Sequence, residues 1–360
     1  RPLQNPQKSS KFPLTSNSGN LEDFVHEQLF THRRPHHIEK HLDRFPLIKL
    51  DRILDWTPIE QYLAGRKTRY VRDNGGRPAY PLLSMFKAVL LGQWHSLSDP
   101  ELEYSLITRI DFQLFCRFDD FRIPDHSTLC RFRNWLAQDN TLAELLDLIN
   151  RQLTDQGLKV EKASAAIVDA TIIQTAGGKQ RQAIEVDDEG VVCGETTPSK
   201  DPDAKWIKKD GRFHLGYKQH TRTDADGYIE KLHITPANAH ECKHLLPLPA
   251  DIAEGSTVYA DKGYDSRENR QHLAACGLKD GIMQKAYRGC PLSQEQKIRN
   301  GRLAKVRYVV EQSFGTLHRK FRYGRAAYFG LGKVRAQSHL KAMCVNLLKA
   351  ANSIGVPVAA

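Results

Sequence analysis

The chain lacks most of the features that assign a protein quickly. Its seven cysteines, at 116, 130, 193, 242, 276, 290 and 344, are odd in number and widely spaced, and none forms C-x-x-C. That pattern excludes a disulfide framework and a cysteine-type zinc site, and it points to a reducing compartment. No run of eighteen apolar residues occurs, so no membrane-spanning helix is expected. No signal peptide is read at the N-terminus, which begins at Arg1 without Met, and a cytoplasmic location is expected. There is no internal repeat. Acids are nearly missing from residues 285–341, where only Glu295 and Glu311 stand against fourteen Lys and Arg. That net charge of +12 exceeds the +11 of the whole chain, so the remainder sums to −1.

What is present sets the class. A length of 360 residues suggests two domains, and 40% hydrophobic residues can build a full core and exclude global disorder. A pI near 9.2 with its charge concentrated in one block favours a nucleic-acid partner over a membrane surface. Residues 1–46 are read as a flexible basic arm, with four His among Arg and Lys in THRRPHHIEKH, a solvated segment rather than a metal site.

From 47 to 158 the pattern is helical. Pro81 opens PLLSMFKAVLLGQW; Ser98 and Glu101 form a capping-box signature; Asp125 is placed to cap HSTLCRFRNWL; Thr141 starts another helix. In the Asp125 helix Leu129, Phe132 and Leu136 make the buried stripe, and Arg131 and Arg133 are expected to face out toward DNA. From 159 to 355 the period changes. ASAAIVDATII reads as a buried strand, and RFHLGYKQHTRTDADGYIEKLHIT as a hairpin turning at Asp226-Gly227. Strands are expected at 256–261 and 279–284, and helices at 240–253, 267–276, 293–320 and 333–353. Residues 175–210, rich in Gly, Asp, Lys and Pro, read as a loop insertion. This is an α/β pattern behind a helical region.

Three acids sit in unusual settings. Asp169 interrupts an apolar strand, which is costly unless it is paired or binds metal. Asp261 ends the strand VYAD, where ligands collect in α/β sheets. Glu311 lies in the basic helical stretch, with Arg307 and His318 on its face. Each has an ordinary reading as a structural acid, a helix cap or a surface ion pair. Together they could hold two divalent cations, Mg²⁺ or Mn²⁺, against a phosphodiester. His214, Lys218 and His220 alternate onto one strand face as phosphate-facing or solvent-facing groups, and Lys262 and Tyr264 flank Asp261 as backbone contacts, Tyr264 equally as core. HECKH at 240–244 has the letters of a zinc-protease motif, but Pro236, Pro247 and Pro249 leave little helix for it and no third ligand is evident.

The ordered blocks LSDPELEYSLITRIDFQLFCRF, IPDHSTLCRFRNWL, VDATII, FHLGYKQH, TPANAHE, YADKGYDS and VVEQSFGTLHRKF resemble bacterial insertion-sequence DDE transposases, closest to the insertion sequence five family, over about 47–350. The resemblance implies a ribonuclease-H-like catalytic domain. It also implies a metal triad of Asp169, Asp261 and Glu311, and an Arg before the Glu, here Arg307. His318 stands where that family has Lys or Arg, with Arg319 and Lys320 following, and Ala304 where related groups carry Tyr. The function expected is binding of terminal inverted repeats on double-stranded DNA, metal-dependent cleavage and strand transfer. At least a dimer would hold two ends, at the nucleoid. A catalytically silent regulator and a structure-selective nuclease are the competing readings.

Overall fold

The computed structural model describes residues 44–66, 79–118, 122–160, 165–177, 185–186, 192–193, 200–209, 211–249 and 251–354. The arm, its histidine-rich stretch and most of 178–199 lie outside them.

Seven helices come first among the described residues: α1 (Pro46–Asp51), α2 (Thr57–Gly65), α3 (Leu82–His95), α4 (Asp99–Thr108), α5 (Ile110–Cys116), α6 (His126–Leu136) and α7 (Thr141–Asp155). Their starts follow from local chemistry. Glu101 accepts the backbone N–H of Ser98 at 2.8 Å, and Asp125 accepts that of Thr128 at 2.7 Å, satisfying orphan donors at the first turns of α4 and α6. A buried charge cluster joins three of these elements. Asp51 accepts from Lys87 at 2.5 Å and from Arg117 at 2.8 Å, and Lys87 also lies over the rings of Trp56 and Phe115.

The sheet follows: β1 (Ala165–Gln174), the short pair β2 (Glu185–Val186) and β3 (Val192–Cys193), then β4 (Lys205–Lys209), β5 (Arg212–Thr223), β6 (Ile229–Pro236), β7 (Thr257–Ala260) and β8 (Lys279–Ile282). Strand β5 pairs antiparallel with β1 on one side; on the other it pairs with β4 and then, end to end, with β6. Strand β1 continues parallel to β7, and β7 parallel to β8. The order β6-β5-β1-β7-β8, three antiparallel strands and then parallel ones flanked by helices, is the ribonuclease-H-like arrangement that the resemblance implies. Gly216 sits where β4 gives way to β6; a Cβ there would come 2.1 Å from the carbonyl oxygen of Ile173. Gly227, with φ +85°, turns the β5–β6 hairpin as the Asp-Gly pair predicts.

Alternation along β1 divides the core. Ile167 and Ile173 join a large cluster shared with the N-terminal helices and with α9 (Gln294–Arg319) and α10 (Leu331–Ser353). Ala166 and Val168, on the other face, join a small cluster with Leu245, Val258, Tyr264 and Leu273, the last from α8 (Arg267–Ala275). Helix α10 is buried along most of its length. Its Asn346 donates to Asn150 of α7 at 2.7 Å and bonds both backbone groups of Ile229 in β6.

Two expected elements differ. Among the described residues of 240–253 the helical structure is only a 3-10 turn, Glu241–His244, because Pro236, Pro247 and Pro249 break the segment at both ends. Within 175–210, residues 205–209 form a strand; β5 supplies their pairing, a partner that no local pattern reveals.

Candidate active site

The parallel register pairs Val168 with Ala260, so the next residues, Asp169 and Asp261, emerge side by side from adjacent strands. Asp261 follows β7 directly and precedes the 3-10 turn Lys262–Tyr264. The third segment is α9, whose capping box of Ser293 and Gln296 starts a helix of 26 residues. Its Arg307 is buried and bridges the two aspartates. Nη2 donates to Asp169 Oδ2 at 2.6 Å and Nη1 to Asp261 Oδ1 at 3.2 Å, while Met283 Sδ lies 3.3 Å from Nη1. The Ala170 N–H donates to Asp169 Oδ1 at 2.7 Å. Burial pushes the Asp169 carboxyl above the usual carboxylate range, with Arg307 opposing that shift and Asp261 adding to it.

Glu311 lies one turn beyond Arg307 on the same helix face, about 6 Å further along the axis, and is exposed. Seven residues on, His318 Nε2 meets Thr171 Oγ1 at 2.9 Å. Thr171 shares the strand face of Asp169. Helix α9 therefore lies along β1, with Glu311 between two fixed contacts. Burial lowers the His318 pKa, which favours the neutral ring.

Among the described residues no three His, Cys, Asp or Glu side chains are gathered closely enough to hold a metal ion. The structure joins Asp169 to Asp261 through Arg307 and leaves Glu311 apart, pointing to solvent. The carboxylate donor set fits a divalent ion.

Several expected contacts are corrected. Arg133 does not face out: it is 9% exposed, paired with Asp99 of α4 and stacked over Tyr328, 4.3 Å from the ring centroid. The neighbouring Arg131 is exposed. Tyr264 is core, its hydroxyl 2.8 Å from His220 Nδ1. His214, Lys218 and His220 do share a face, but it is the one opposite Asp169, since Ala170 pairs with His220 and Asp169 with Thr221. Lys218 is buried against Ala239 O at 2.9 Å and Glu241 at 3.2 Å, and His214 is half-buried beside Gln174. Lys262, Arg319 and Lys320 are exposed. The Thr171–His318 contact was not foreseen; its one local signal is that Thr171 stands two residues after Asp169.

The reverse face is built differently. His220, His233 and His244 gather with ring centroids 5.1–6.2 Å apart. Burial, then His244, Lys218 and His233, push the His220 pKa down to about 3. His233 and His244 are also lowered, chiefly by burial. These rings are neutral and tie β5 and β6 to the 240–244 turn that carries the HECKH letters.

Paired acids at the ends of adjacent parallel strands, covered by a basic helix, suit an enzyme of phosphodiester chemistry. The family models name the class. Residues 161–347 match the Transposase DDE domain family and residues 33–135 match the Transposase domain (DUF772) family. The chain is 75% identical over 230 residues to the transposase for insertion sequence element IS1106 of Neisseria meningitidis serogroup B, covering 64% of this chain and 80% of that protein. Among solved structures, the piggyBac transposase synaptic complex with hairpin DNA aligns over 83% of this chain and 71% of its own at 10% identity and a TM-score of 0.42. The Mos1 transposase paired-end complex with left transposon end aligns over 82% and 86% at 10% identity and a TM-score of 0.21. The chain belongs to the DDE transposase family. It is a DNA transposase, an enzyme that cuts and transfers DNA strands.

Proposed function

We propose that the chain binds the terminal inverted repeats of its own element, cuts there, and joins the exposed 3′-OH to target DNA. Asp169, Asp261 and Glu311 are the triad in this reading. The observation that carries it is the bridge from Arg307 to two aspartates that lie 92 residues apart in the sequence. Each pairing brings an acid from a different strand to one helix.

The three carboxylates are the residues that would hold two Mg²⁺ or Mn²⁺ ions. When bound, such ions supply Lewis acidity toward an attacking water or hydroxyl and neutralise charge on the phosphate. Arg307 bridges Asp169 and Asp261, and the Ala170 N–H donates to Asp169 Oδ1. His318, kept neutral and oriented by Thr171, replaces the usual cation with a hydrogen-bonding ring, so Arg319 and Lys320 carry the phosphate charge at that end of α9. Lys262 contacts the strand beside Asp261, and Arg131 contributes from α6. Residues 47–158 serve end binding and dimerisation, and 159–355 serve chemistry. Two ends must be held at once, so the active complex is at least a dimer, acting at the nucleoid in the cytoplasm.

The test is incubation of the protein and Mg²⁺ with DNA carrying the gene's own flanks and a target plasmid. Cleaved and joined products support the proposal. Cleavage without joining would point to a nuclease, and binding without cleavage to a silent regulator. Binding should also weaken steeply with salt, as phosphate contacts require.

A further inference from the structure

The β4–β5 hairpin carries side chains that neither the core nor the acid cluster uses. Trp206 is 48% exposed and Phe213 58%, whereas the other three tryptophans, Trp56, Trp94 and Trp135, are buried. In the register Trp206 lies opposite Leu215 and Lys208 opposite Phe213, so these four side chains share one face. Alternation along β5 carries that face on to Thr221, the direct partner of Asp169. The eight-residue step from Phe213 to Thr221 spans about 26 Å at the usual strand rise. The exposed rings therefore stand on the acid-bearing face of the sheet, displaced along the strand.

The root of the hairpin is fixed. Asp201, fully buried, accepts from Thr175 Oγ1 at 2.6 Å, from the Tyr217 hydroxyl at 2.6 Å and from the Gly330 N–H at 3.2 Å. Asp203 accepts from the Leu331 N–H at 2.8 Å. The strands are basic, with Lys205, Lys208, Lys209 and Arg212 all exposed. Lys208 Nζ stands 5.4 Å from the Phe213 ring centroid, so cation and ring present together.

Exposed rings set among cations suit a polyanion that offers flat faces, and a single-stranded nucleic acid is such a polyanion. A duplex keeps its base faces stacked inside. Trp206 and Phe213 are diagonal cross-strand neighbours, a spacing of about 7–8 Å, or two base rises of about 3.4 Å.

We propose that the β4–β5 hairpin binds single-stranded DNA, with unpaired bases stacked on Trp206 and Phe213 and phosphates on Lys208 and the flanking cations. This rests on the transposase reading and deepens it: the platform takes the strand that loses its pairing beside a cut.

The lone exposed tryptophan gives a direct readout. Titration of the wild-type protein with a 20-nucleotide oligo(dT) is expected to quench intrinsic fluorescence saturably, while a dA·dT duplex of equal length does not. Trp206→Leu should abolish the quench. Trp206→Leu and Phe213→Leu should each weaken binding of end-labelled oligo(dT), followed by anisotropy, by about tenfold, and Trp206→Phe, which keeps a ring, by less than about threefold. Absence of quenching, equal quenching by the duplex, or unchanged oligo(dT) affinity in Trp206→Leu would overturn the proposal. The same wild-type preparation is assayed in parallel on the gene's flanking DNA. Cutting without quenching overturns the hairpin site alone; quenching without cutting upholds it and counts against the assigned triad.

Discussion

On one face of the sheet Asp169 and Asp261 share a buried guanidinium; on the other, His220, His233 and His244 lie ring to ring with their pKa values lowered chiefly by burial. Both faces bury polar groups within a few residues of one another on β1 and β5. Pairing holds two acids beside one cation, at the cost of a partner that must be present. Neutrality needs no counter-ion, but it makes the packing depend on pH. The acid-bearing face is therefore organised around a guanidinium, and the histidine face around the 240–244 turn.

The sharpest way to break this comparison is to remove a charge from the acid face. Asp261→Asn should bind element ends with near wild-type affinity and lose cutting by roughly 10³-fold or more, the equivalent of several kcal/mol of lost transition-state stabilisation. Gel-shift and cleavage assays on one preparation check it; retained cutting would remove Asp261 from the triad. Next in size is Arg307→Ala. It leaves Asp169 and Asp261 facing each other without their cation and should destabilise the protein by about 3 kcal/mol in denaturant unfolding. A stability loss near zero would mean that the bridge is not a folded-state feature.

Acid should expose the other face. His220 is held down to about 3, chiefly by burial. Its unfolded form takes up a proton near 6.5 and its folded form does not, so stability is present above that pH and is lost as pH falls toward the folded value. Between pH 7 and 5 this should cost about 2 kcal/mol. A melting temperature that falls across this window, less steeply in His220→Gln, sharpens the contrast; a flat profile breaks it. The smallest effect is expected from Thr171→Val, which removes the partner of His318 and should cost about 1 kcal/mol. Chemical denaturation reads it directly.

Legibility from the sequence followed range. Ser98, Asp125 and Ser293 announce their helices because a cap is satisfied within three residues. The strands around Val258 and Gly281 were readable as short apolar or β-prone runs at their observed places. Arg133 misled because a stripe on α6 says nothing of Asp99 and Tyr328, which reach it from elsewhere. For Lys218 and His220 the alternation was right, yet alternation alone does not say which face meets which neighbour. Asp169 and Asp261 were conspicuous as acids in or beside apolar strands. That Arg307 would link them, rather than pair with Glu311, depends on how α9 crosses the sheet.

Asn346 guards one rung of an open sheet edge. Strand β6 is an edge, and edges invite a foreign strand. The Asn346 amide reaches from α10 and occupies both outward backbone groups of Ile229, with Asn150 sharing the carbonyl. A visiting strand would find that rung already taken and a helix standing in its path. A mutation at Asn346 that freed the rung would open that end of β6 to pairing with a foreign strand.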